Sequence, residues 1–200
     1  NVLYGDVGND TLSGGTTSAS LNGGDGNDQL TAGSAGGVVN GDGDNDTLIG
    51  GLGDDYLDGG DGNDSLYGGP GTDVLTGGNG ADIFSFRAYE GKVVDASHSY
   101  TITDFDTVTD FTPGADKISV GFAGTATNTF IIQAPTFGYD DALSQAMTKM
   151  SNMNYDIVVV RVADGLDKGT YVFVDSVQSE KIDLAIKLAG APALGFNDFV

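Results

Sequence analysis

GGDGNDQLT at residues 23–31, GGLGDDYLD at 50–58, GGDGNDSLY at 59–67 and GGPGTDVLT at 68–76 are copies of one nine-residue unit. The unit keeps its register from Gly5 to Ser85. Its eighth position is apolar in every copy: Leu12, Leu21, Leu30, Val39, Leu48, Leu57, Leu66, Leu75 and Phe84. Leu3 lies one period earlier, so the chain opens inside a further copy. With Asn1 in phase and no initiating Met, the expectation is a fragment or processed product whose repeats continue upstream.

Each unit is a Gly-rich hexapeptide followed by three residues suited to a short strand. Alternation in a strand places the eighth residue inward and its two polar neighbours outward. One unit cannot bury that Leu, whereas a stack of units can. Two units make an 18-residue coil with a strand on each face, and coils stacked at roughly 4.8 Å build a rod. The predicted fold is all-β: a parallel β-roll, or right-handed β-helix, over residues 1–85. A β-rich capping domain with one helix follows over 86–200.

The charge restricts the partners. The chain carries 29 Asp plus Glu against 8 Lys plus Arg, a formal net charge of −21. All of the basic residues follow Ser85, so the repeats are purely acidic. Such a surface does not bind nucleic acid phosphates and calls for a cation. With no cysteine, thiolate metal sites and disulfides are excluded. No apolar run reaches the roughly 18–20 residues that span a bilayer.

The aspartate at position six supplies the chemistry: Asp10, Asp28, Asp46, Asp55, Asp64, Asp73 and Asp82. Stacking aligns these carboxylates in columns about 5 Å apart, where each like-charge pair repels by roughly 1 kcal/mol in water. A hard cation with oxygen preference reverses that sign. Calcium suits a flexible cage rich in backbone carbonyls better than magnesium, which demands a small octahedron. The triplet Asp42, Asp44 and Asp46 imitates the start of an EF-hand loop. It lacks the glycine and the closing glutamate of that motif, and it is in register with the repeat.

Residues 5–85 resemble the RTX repeats of proteins exported by Gram-negative bacteria, which form a calcium-loaded parallel β-roll. In that family an ion lies between turns on one side of the roll. Carbonyls at positions two and four and the position-six Asp of one turn contribute, with carbonyls at positions one, three and five of the turn two units later. The resemblance implies that Gly24, Gly26 and Asp28 share an ion with Gly41, Gly43 and Asn45. It pairs Gly51, Gly53 and Asp55 with Gly68, Pro70 and Thr72, and Gly60, Gly62 and Asp64 with Gly77, Asn79 and Ala81. The same rule adds Asp10, Asp46 with Gly59, Asp61 and Asn63, then Gly69, Gly71 and Asp73, and finally Asp82.

Two units depart from the pattern, with Ala19 and Gly37 at position six. Alternate units share a side of the roll. One column is therefore complete, while the other keeps only Asp55 and Asp73. The expectation is about five or more ions, roughly four along the first column and one or two near the C-terminal end of the second.

After Ser85 the glycine density falls. Candidate strands are 83–87, 100–105, 117–122, 130–132, 157–163, 170–175, 181–188 and 196–200, with an amphipathic helix over 140–153. The segment TVTDFTPGADKISV at 107–120 resembles the stretch that follows the repeats in serralysin-type proteases and other exported RTX proteins. By that resemblance Asp110 and Asp116 are candidates for a further ion, against the simpler reading of a solvated turn. Asn197-Asp198-Phe199-Val200 resembles the uncleaved C-terminal signal read by type I secretion (ABC) exporters.

No catalytic constellation is visible: His98 is the single histidine, and no zinc, nucleophile-elbow or phosphate-loop motif occurs. Two non-catalytic readings follow. One is the calcium-folded export module of a larger secreted enzyme or toxin. The other is a calcium-dependent assembly domain of a cell-surface protein, such as an S-layer subunit or adhesin. Both are extracellular.

Overall fold

The computed structural model describes residues 1–87, 93–96, 99–102, 106–120, 129–132, 157–162, 169–174, 184–189, 194 and 198–200. The nonapeptide period is realised as two parallel sheets. Strands β1 (Val2–Val7), β3 (Ala19–Asp25), β5 (Gly37–Gly43), β7 (Tyr56–Asp61) and β9 (Val74–Asn79) stack on one face. Strands β2 (Thr11–Ser13), β4 (Gln29–Thr31), β6 (Thr47–Ile49), β8 (Ser65–Tyr67) and β10 (Ile83–Ser85) stack on the other. Leu3 pairs with Leu21, Leu21 with Val39, Val39 with Leu57 and Leu57 with Leu75, an 18-residue step each time. Two nonapeptides per coil are what this register requires.

The position-eight residues meet between the sheets. Leu21, Leu30, Val39, Leu48, Leu57, Leu66, Leu75 and Phe84 are all buried in one cluster. Each fully buried Leu contributes about 1.5–3 kcal/mol relative to exposure. Leu3 and Leu12 at the open end are only partly buried.

The roll does not stop at Ser85. Strands β11 (Val93–Ala96) and β12 (Ser99–Ile102) form a separate antiparallel pair. Then β13 (Asp106–Val108) adds in parallel to β9, with Thr107 opposite Val74. Strand β14 (Lys117–Ser119) adds in parallel to β10, with Lys117 opposite Ile83. Val108 and Ile118 take the buried position-eight places of one more coil.

Beyond it, the first sheet continues through β18 (Leu184–Leu188), β17 (Gly169–Val174), β16 (Ile157–Val162) and β15 (Thr129–Ile132). The strand expected over 117–122 covers Lys117–Ser119. Of the strand expected over 196–200, the described residues 198–200 show a bridge between Phe199 and Ile118. The helix expected over 140–153, and His98, lie outside the described residues.

Candidate metal centre

Turn geometry follows from local sequence. In the units that start at Gly5, Gly23, Gly41, Gly59 and Gly77, positions two and four both adopt left-handed backbone, as at Gly24 (φ 105°) and Gly26 (φ 123°). Where this chain carries aspartate there instead, Asp42 (φ 74°) and Asp44 (φ 70°) hold the same conformation, which costs a non-glycine residue on the order of 1–3 kcal/mol. Alternating left-handed residues turn the carbonyls of positions two and four toward the next coil. The carbonyls of Asp42 and Asp44 face the Cα atoms of Gly60 and Gly62, and those of Gly60 and Gly62 face Gly78 and Gly80. Gly51 and Gly53 likewise face Gly69 and Gly71.

The position-six aspartates form two columns on the two edges of the roll. In each, one carboxylate oxygen accepts the backbone N–H of the equivalent residue one coil earlier. Asp28 Oδ1 accepts from Asp10 at 2.7 Å, Asp46 from Asp28 at 2.8 Å, Asp64 from Asp46 at 2.8 Å and Asp82 from Asp64 at 2.9 Å. In the second column Asp73 accepts from Asp55 at 2.9 Å. Both columns run on past the repeats. Asp116 Oδ1 accepts from Asp82 at 3.0 Å, and Asp106 Oδ1 from Asp73 at 3.0 Å.

The second oxygen is the one that matters. Oδ2 of Asp28, Asp46, Asp55, Asp64, Asp73 and Asp82 is buried and has no hydrogen-bond partner. Burying an ionised carboxylate without compensation is costly. Burial accordingly pushes Asp46, Asp55 and Asp64 up to about 6, and neighbouring carboxylates add to the shift. Asp82 is raised for the same reasons.

Each Oδ2 faces the Cα of the position-one glycine in its own unit: Gly23, Gly41, Gly50, Gly59, Gly68 and Gly77. At several of these glycines the carbonyl of the next coil converges on the same place. A methyl at Gly23 would meet Asp28 Oδ2 and lie 2.8 Å from Gly41 O. At Gly41 it would meet Asp46 Oδ2 and lie 2.5 Å from Gly59 O, and at Gly59 it would meet Asp64 Oδ2 and lie 2.5 Å from Gly77 O. Asp10 with Gly23, and Asp55 with Gly68, repeat the arrangement around Gly5 and Gly50. A carboxylate and a carbonyl aimed at one point are a donor set for a hard cation. Among the described residues no cluster of three or more His, Cys, Asp or Glu side chains occurs, so backbone carbonyls must supply the other donors.

The carboxylates and the position-one carbonyls of the next coil point to the same place. Position-three carbonyls are partly engaged: Gly43 O accepts from Gly26 N–H at 3.4 Å and Asn79 O from Gly62 N–H at 2.9 Å, each keeping a second lone pair. At position five the amides of Asn45, Asn63, Thr72 and Ala81 are held by side chains one coil earlier, namely Asn27, Asn45, Asp54 and Asn63. This asparagine ladder escaped the sequence reading. Its signal was the recurrence of Asn9, Asn27, Asn45 and Asn63 at an 18-residue spacing.

The units without the aspartate are filled differently. Ala19 and Ala32 are buried. A methyl at Gly14 would lie 2.6 Å from Ala19 Cβ, so the Ala19 methyl stands beside that glycine where a carboxylate stands elsewhere. Asp116 departs from the solvated-turn reading. Asp116 is buried rather than solvated, and its Oδ2 accepts Thr112 N–H at 2.7 Å. Asp110 accepts the N–H groups of Gly77 and Gly78 at 3.0 and 2.8 Å. Both carboxylates accept turn amides.

Comparison with known proteins finds the repeat family. Residues 4–84 match, in overlapping blocks, the family described as the RTX calcium-binding nonapeptide repeat. The chain is also similar to a solution structure of the AlgE6R3 subunit from the Azotobacter vinelandii mannuronan C5-epimerase. There the identity is 27%, over 84% of this chain and 80% of that one, with a TM-score of 0.33. No curated protein matches.

Proposed function

We propose, taking residues 4–84 as calcium-binding RTX repeats of a β-roll, that the chain is a non-catalytic module which folds on binding calcium outside the cell. Its donor sets are those built on Asp10, Asp28, Asp46 and Asp64 in one column and on Asp55 in the other. The observation that carries this reading is the row of buried, unpartnered Oδ2 atoms, each aimed at a position-one glycine. Without a cation these atoms oppose closure; with one they drive it.

Magnitudes fit a switch. An ion at about ten times its dissociation constant stabilises the closed form by roughly 1.4 kcal/mol. Five such ions supply about 7 kcal/mol, the scale of a whole domain's stability. Where calcium is scarce the acidic chain stays open and can thread an exporter; where it is abundant the roll closes. The end of the chain, Asn197-Asp198-Phe199-Val200, then serves as the type I secretion signal, and the module belongs to a larger secreted protein.

A calcium titration followed by circular dichroism and calorimetry, with magnesium as control, tests the switch. The expected result is a cooperative gain of β structure with calcium alone, near five ions per chain. A chain equally folded in chelator would overturn it. A second reading, resting on the same repeats, is calcium-dependent assembly at the cell surface. Calcium-dependent ordered sheets in electron micrographs would select it over a monodisperse module.

A further inference from the structure

The last three residues are built into the end of the roll. Asp198 and Phe199 are buried, at 4% and 9% exposure, while Val200 is exposed. Phe199 bridges in parallel to Ile118, the central residue of β14. Val200 N–H donates to Ile118 O at 3.0 Å. Asp198 Oδ1 accepts Gly114 N–H at 2.9 Å, and Lys117 Nζ lies 4.0 Å from the same oxygen. Strand β14 is the terminal strand of its sheet, with β10 on its other side. The tail therefore occupies part of a sheet edge that no other described strand covers.

That edge exists only when the coil carrying it is closed. Lys117 N–H donates to Asp82 O at 2.7 Å, and Phe86 N–H to Ser119 O at 2.7 Å. Asp116 holds the Asp82 amide and Asp110 holds those of Gly77 and Gly78. The turn from Asp110 to Asp116 is thus gripped on one side by the last repeat and on the other, through Gly114, by Asp198. Closure of the repeats and docking of the tail are linked through a single turn.

We propose that Asp198–Val200 is a latch with two mutually exclusive partners. In the closed roll it lies on β14 as a partial strand; in the open chain it is free for an exporter. This rests on the reading of the tail as an export signal. It adds that calcium-driven closure withdraws that signal. A short extended segment has one set of backbone donors and one apolar anchor, so it cannot pair with β14 and lie in a second groove at once. A ligand that favours the closed state must deplete the free tail to the same degree.

Carboxypeptidase digestion of the full chain, with release of Val200 and Phe199 followed by mass spectrometry, tests the latch. Calcium should slow release roughly tenfold or more relative to chelator, because the enzyme reaches only the opened tail. D198A leaves the Gly114 amide without its acceptor. It should speed release in calcium by about tenfold while leaving the circular dichroism transition in place. Equal release with and without calcium, or a D198A chain as protected as the parent, would overturn the latch and leave the export reading intact. Export undiminished by deleting 198–200 would instead overturn the export reading, and the masking role with it.

Discussion

Gly41 and Gly43 lie two residues apart in one turn, and an alanine at each should behave in opposite ways. At Gly41 the new methyl would strike Asp46 Oδ2 and lie 2.5 Å from Gly59 O, with Asp46 Cγ at 3.0 Å. Both oxygens belong to the proposed donor set, so the methyl crowds the ligands of the cation. Losing one ion at ten times its dissociation constant removes about 1.4 kcal/mol, and overpacking a closed site costs about 1–3 kcal/mol more. The lower entropy of the unfolded alanine chain returns about 0.4–1 kcal/mol, leaving a net loss of about 1.4–4 kcal/mol. At Gly43 the nearest atoms to a new methyl are Asp25 Oδ1 at 3.8 Å and Gly24 O at 3.9 Å. These are ordinary contacts, the residue is not left-handed, and its carbonyl is untouched, so the change should stay within about 0.5 kcal/mol. Urea unfolding at fixed free calcium and calorimetric ion counts on both variants decide the matter. Gly41→Ala should lose stability and one ion, whereas Gly43→Ala should lose neither. Equal behaviour of the two would refute the assignment of Asp46 Oδ2 and Gly59 O as donors to one cation.

Acidity should partly replace calcium. Asp46, Asp55 and Asp64 are raised to about 6 in the closed form from 3.8, so the closed form holds their protons more tightly than the open chain. Its stability without calcium should rise as pH falls from about 6 to 4 and be lost as pH climbs back through 6. Circular dichroism in chelator should therefore show more β structure at pH 4.5 than at pH 7.5, and apparent calcium affinity should fall over the same interval. Gly37→Asp restores the repeat pattern yet should destabilise by about 1–3 kcal/mol in urea unfolding, because its Cβ would lie 2.5 Å from Ala19 O. Asp116→Ala strands the amides of Asp82 and Thr112 and should cost about 2–4 kcal/mol with the ion count unchanged. Asp64→Ala, by contrast, should lower the count by one in the same calorimetric titration.

Much of this was legible from the period alone. An apolar residue every nine positions implies the 18-residue register, and the Leu column at 21, 30, 48, 57, 66 and 75 is buried as that register requires. The alignment of the aspartates follows from the same count. The coil formed by β13 and β14 was hidden for a geometric reason. Asp106 follows Asp73 by 33 residues and Asp116 follows Asp82 by 34, because an excursion separates the coil from Ser85 and its turn carries one extra residue. Unbroken periodicity is the only signal that sequence offers for such a coil. Yet Thr107-Val108-Thr109 and Lys117-Ile118-Ser119 do repeat the polar–apolar–polar strands of Val74-Leu75-Thr76 and Ile83-Phe84-Ser85. The tail docking on β14 has no local signature, since its partner is more than 80 residues away.

The relation between positions one and six explains more than either position alone. Where position six is aspartate, its Oδ2 lies against the Cα of position one, and only glycine leaves room. Where position one is Ala32, position six is Gly37 and no carboxylate competes for the place; the Ala32 Cβ lies 3.4 Å from where a Gly37 side chain would begin. Unit two keeps Gly14 and puts the Ala19 methyl beside it. Each turn thus holds either a carboxylate that needs a cation or a methyl that does not, and the choice is read from two residues five apart. In the coil that ends the roll, Asp116 takes a third course, turning its second oxygen onto Thr112 N–H within its own turn. That local amide does for Asp116 what the cation does for the aspartates before it. The column can therefore stop at Asp116 without leaving a buried charge uncompensated.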